Sequence, residues 1–97
     1  MRYPDIIKEL TEGRSVRLKP KGNSMTPMIK SGQPIVLSPV DPKDVRVGDA
    51  VLAKVNGNYY IHKVTAIGDD GRFQISNNHG HVNGWARAIF GKVTKIG

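Results

Sequence analysis

The sequence contains no cysteine, which excludes disulfides and thiolate metal sites. Such a composition fits a reducing compartment, and a cytoplasmic location is the expectation. Long apolar runs are also missing. None approaches the roughly 20 residues needed to cross a bilayer as a helix, so no membrane span is expected. The opening stretch, Met1 to Gly13, mixes polar and apolar side chains and has no signal-peptide apolar core. Aromatic residues make up only 6% of the chain. Acidic residues are scarce, 8 against 15 Lys and Arg, which leaves a net charge of +7. Seven of those fifteen cations lie between Arg2 and Lys30, with Arg14, Arg17, Lys19 and Lys21 closely spaced. A cluster of this kind serves either as a patch for nucleic acid or another anionic surface, or as a solvated face. No nucleic-acid-binding motif accompanies it.

What is present points to one small, mainly β domain over residues 1–97, with a helical segment at 1–13. Hydrophobic residues are 38% of the chain, and a chain this short buries only about two thirds of its unfolded surface. Pro4 to Thr11 reads as a helix: Ile6, Ile7 and Leu10 fall at helical spacing, Pro4 suits the first turn and Gly13 the stop. Alternation or short apolar runs predict strands at Ser15–Lys19, Ile35–Leu37, Ala50–Val55, Asn58–Ile67, Arg72–Ser76 and Ala88–Ile96, the last broken by Gly91. Asn56-Gly57 is a strong hairpin signal. Asn77 to Gly84 reads as a polar loop. Six or seven short strands with regularly spaced turns argue for a small barrel or coiled β-sheet.

A few residues carry candidate chemistry. Ser24 sits in the punctuated stretch Gly22-Asn23-Ser24-Met25-Thr26-Pro27, where a turn can expose a hydroxyl and aim its N–H at a substrate oxygen. Taken alone, a serine in a turn is more often structural. His62 lies within the return strand, where a neutral imidazole takes a proton from a hydroxyl near pH 7. Alternation places Tyr60, His62 and Val64 on one face and Lys63 on the other, so at most one of His62 and Lys63 should meet Ser24. Asn23, Asn77, Asn78 and Asn83 are candidates to orient an imidazole or to donate to an oxyanion, beside their ordinary role in turns. His79 and His81 have no acidic or cysteine ligand nearby in sequence, so neither a metal nor any other cofactor is implied. Trp85 reads as a core or rim residue.

Taken in order, these stretches resemble the conserved boxes of the signal peptidase I and LexA-type serine peptidase superfamily. Gly22 to Pro27 resembles the Ser-Met-x-Pro box, and Val47-Gly48-Asp49-Ala50-Val51 the Gly-Asp-x-Val strand. Tyr60-Ile61-His62-Lys63-Val64 resembles the general-base box. Ile75-Ser76-Asn77-Asn78 resembles the Gly-Asp-Asn box, and Phe90-Gly91-Lys92-Val93 the closing Gly-Arg-Val strand. The resemblance implies a coiled β-sheet fold, Ser24 as nucleophile and the base position at His62. Bacterial signal peptidases and LexA-type repressors have lysine at that position; the archaeal and endoplasmic-reticulum type has histidine.

The chain also departs from the pattern. Ser76 replaces the acidic residue of the Gly-Asp-Asn box, and Asn83 lies roughly where a second acid is expected. Nothing matches the membrane anchor, the helix-turn-helix domain or the Ala-Gly self-cleavage site. The leading expectation is a serine endopeptidase with a Ser24/His62 dyad acting on a peptide or protein, with Asn23, Ser76, Asn77 and Asn83 as orienting or oxyanion candidates. The alternative is a catalytically inactive LexA-like module. It would use the basic face for nucleic acid or a sheet edge for a protein partner, in a regulatory role.

Overall fold

The computed structural model describes residues 2–97. Helix α1 (Tyr3–Thr11) begins with Pro4 in its first turn, where a missing N–H breaks no helical bond. Ile6 and Leu10, four residues apart, share a face and are both buried. The helix ends on Gly13 at φ +88°, with Gly13 N–H bonded to Leu10 O and Arg14 N–H to Glu9 O. This is a Schellman ending, and it needs the left-handed conformation that glycine adopts freely.

Seven strands follow: β1 (Val16–Leu18), β2 (Ile35–Ser38), β3 (Ala50–Val55), β4 (Asn58–Ile67), β5 (Phe73–Ser76), β6 (Val82–Ala86) and β7 (Ile89–Ile96). They form one antiparallel sheet in the order β1-β2-β7-β3-β4-β5-β6. The architecture is therefore mainly β with one N-terminal helix, and β1 and β6 are the sheet edges. A two-residue turn joins β3 to β4, with Asn56 at φ +49° and Gly57 at φ +82°, the pair of positive angles that a type I′ hairpin requires.

Alternation sends successive side chains of the central strands to opposite faces, and each face has its own core. Ala50 and Leu52 of β3, with Ile61 of β4, pack with Ile6, Leu10, Ile35 and Leu37. Val51, Ala53 and Val55 of β3, with Val64 of β4, pack with Phe73, Ile75 and Ala86. Strand β3 is thus buried on both sides, and it fixes where β4 and its histidine lie.

Two details differ from the sequence reading. The segment read as a loop to Gly84 becomes strand β6 from Val82 onward. Gly84 adopts φ +141°, and a Cβ there would lie 2.8 Å from Val55 Cγ1, so a residue that reads as a turn permits close packing inside a strand. Gly91 does not break β7. It leaves room for α1: a Cβ there would meet Leu10 Cδ1 at 2.9 Å and Ser38 O at 3.1 Å. Trp85 is 45% exposed on β6, a rim rather than a core position.

Candidate active site

Ser24 is exposed on the turn between β1 and β2. The turn is anchored from below by Met25 and Ile29, both buried against the α1 side of the sheet, and Ile29 N–H donates to Met25 O at 2.9 Å. It is held laterally by the β5–β6 loop. Asn78 N–H donates to Ser24 O at 2.7 Å, and Asn78 Nδ2 donates to Thr26 O at 3.0 Å. The His79 ring Nε2 lies 2.8 Å from Asn23 O and 3.2 Å from Thr26 Oγ1. Lys63 Nζ in turn donates to Asn78 Oδ1 at 3.0 Å. Main-chain bonds of this kind fix the height and tilt of the serine without touching its hydroxyl.

His62 is 7% exposed in β4. Its Nε2 lies 3.0 Å from Ser24 Oγ and its Nδ1 lies 2.6 Å from Asn83 Oδ1. An amide oxygen is only an acceptor, so Nδ1 carries the proton and donates to it. That leaves Nε2 with its lone pair facing the serine hydroxyl, the tautomer in which imidazole accepts a proton. Burial pushes the His62 imidazole below its ordinary value of 6.5. The Asn83 hydrogen bond opposes that shift, and the nearby His81 charge adds to it. The Tyr60 ring, 4.9 Å from the imidazole between centroids, covers it on the same strand face.

The other candidates separate clearly. Asn83, on β6, reaches His62. Asn77 Oδ1 accepts the N–H groups of His79 and His81 at 2.8 and 2.9 Å, which shapes the loop. Ser76 is 2% exposed, and its hydroxyl bonds Thr65 Oγ1 at 2.7 Å. Asn23 enters the site through its carbonyl. Lys63 lies on the opposite strand face from His62 and meets Asn78 rather than the serine hydroxyl. Sequence reasoning missed the tethering by Asn78 and His79, because nothing local tells a loop that it will donate to a turn some 50 residues earlier.

Strand β4 has an open edge beside this pair. β5 pairs with it from Lys63 to Ile67, whereas Asn58 to His62 pair with β3 alone among the described residues. Val64 bonds toward the β3 side, through Gly48 N–H to Val64 O and Val64 N–H to Asp49 O. Alternation then turns the main-chain groups of Tyr59 and Ile61 toward the open side. A cleft of about 170 Å³ lies there, lined by Pro20–Gly22 and Tyr59–Ile61, with Ser24, His62 and Tyr3 of α1. The N–H groups of Ser24 and Met25 have no acceptor among the described residues.

The sequence pattern described as Peptidase S24-like matches residues 2–94 of the chain. No curated protein and no solved structure matches it.

Proposed function

The chain belongs to the peptidase S24-like family, and from that premise we propose that it is a serine endopeptidase in which Ser24 is the nucleophile and His62 the general base. The supporting observation is the hydrogen-bonded row Ser24–His62–Asn83 at the mouth of a cleft beside an unpaired strand edge. An extended peptide adds to the Tyr59–Ile61 edge as an extra strand, which brings its scissile carbonyl to Ser24. Ser24 Oγ attacks the carbonyl carbon while its proton passes to His62 Nε2. The Ser24 N–H, which has no acceptor among the described residues, donates to the developing oxyanion. As the C–N bond breaks, the imidazolium returns the proton to the departing amine. Water then hydrolyses the serine ester with His62 again acting as base.

Asn83 holds the imidazole in the productive tautomer, as the asparagine of Cys-His-Asn enzymes does, but it brings no negative charge to the imidazolium. The expected result is that Ser24→Ala abolishes cleavage of a peptide library while circular dichroism and melting temperature stay unchanged. If the wild-type protein neither cleaves any peptide nor reacts with serine-directed acylating probes, the peptidase reading fails. A second reading is favoured by the amide at Asn83 and by cations without ion-pair partners among the described residues: a binding module on the same fold. It predicts partner capture that Ser24→Ala leaves intact.

A further inference from the structure

Tyr3, Pro20 and Lys21 line the cleft at Ser24, and the same residues line an adjoining groove whose walls include Ile6, Arg17, Leu18 and Lys19. The two therefore adjoin along these three residues and together make a channel-like surface running from Ser24 toward β1. Three cations are among its lining residues, and no carboxylate lines either part. The ion pairs of the described residues engage Arg14, Lys43, Arg72 and Lys92, so Arg17, Lys19 and Lys21 have no acidic partner. All three are exposed.

We propose that this channel selects peptides bearing Asp or Glu beside the bond to be cut, with Arg17, Lys19 and Lys21 as the specificity residues. The proposal rests on the peptidase reading of Ser24 and His62. The channel offers a peptide three things: an apolar wall from Ile6 and Leu18, the open main-chain edge of β4, and the outer edge of β1, which among the described residues pairs with β2 alone. A sugar–phosphate chain cannot pair with strand edges. The aromatic rings here are also committed to each other. Tyr3 stacks on Tyr59 with centroids 5.4 Å apart, and Tyr59 carries the Lys54 ammonium at 5.1 Å, which leaves little free face for a nucleobase. An acidic peptide satisfies both the edges and the charges.

The test uses the full chain and a peptide series of one length and one core, carrying Asp or Glu, Gln, or Lys at the positions flanking the cleaved bond. Cleavage efficiency rises about threefold for each acidic residue engaged, the effect of an exposed ion pair, and the gain fades with added salt. Lys19→Glu or Arg17→Glu brings the acidic-to-neutral ratio to about one or below. Arg87→Glu, with the same charge change on the β6–β7 turn, leaves the ratio as in the wild type. Binding of the same peptides to Ser24→Ala, followed by fluorescence anisotropy, separates recognition from chemistry. Cleavage with no charge preference overturns this inference and leaves the peptidase standing. No cleavage, with acidic-peptide binding that Lys19→Glu abolishes, sinks the peptidase and keeps the acidic channel. Tighter binding of single-stranded DNA or RNA than of any acidic peptide overturns the inference in favour of nucleic acid.

Discussion

At His62 two opposing influences meet: burial disfavours the imidazolium, and the Asn83 oxygen favours it. Burial dominates, so the neutral base persists to a pH below 6.5, and the acidic limb of kcat/KM is expected there. The same shift links to stability. The unfolded chain takes up this proton first as the pH falls, so the contribution of His62 is complete above 6.5 and is lost as the pH drops through the folded value. Asn83→Asp adds a carboxylate beside the imidazolium and should move the limb to higher pH, visible by NMR titration of the ring. His62→Ala should lower kcat by roughly 10²–10⁴-fold. An unmoved limb in Asn83→Asp would show that Asn83 does not govern this ring. The serine and the histidine were legible because each lies in a recognisable box. Asn83 was legible only as one of several asparagines. The tether through Asn78 and His79 was invisible, since it acts on main-chain atoms of a distant turn. Ser76, which occupies an acid position of the family pattern, spends its hydroxyl on Thr65, close to the register shift between β4 and β5.

Among the elements, α1 and β7 depend on a missing side chain. Leu10 packs where a Cβ on residue 91 would intrude, so Gly91→Ala should cost about 1–3 kcal/mol by overpacking. Leu10→Ala should cost about 2–5 kcal/mol by leaving a cavity. Made together, the changes should cost less than their sum, because the new methyl occupies part of the void. Urea denaturation of the four proteins measures this coupling, and strict additivity would mean that the helix does not seat on Gly91. The same glycine explains why the closing strand read as broken from sequence: period-two reasoning sees a gap where the structure has a helix contact. Strand β6 was missed for a related reason. Val82-Asn83-Gly84-Trp85-Ala86 carries turn residues at its centre, and only the approach to Val55 gives them a place in the sheet.

Over the whole molecule, the two cores are joined by β3, which supplies Leu52 to one and Val51 and Ala53 to the other. Leu52→Ala and Val64→Ala alter opposite faces, yet both should shift one and the same transition. Far-UV circular dichroism and Trp85 fluorescence should then give coincident midpoints in denaturant; separate midpoints would show two independently melting halves. The β class and most strand positions were legible from alternation and turn chemistry. The strand order was not, because pairing between distant strands leaves no local trace. That order also governs timing. The last strand, β7, inserts at the centre of the sheet between β2 and β3, and β6 brings Asn83 to the imidazole only shortly before it. A growing chain therefore carries Ser24 long before β6 is made, and the hydrogen-bonded row Ser24–His62–Asn83 cannot close until then.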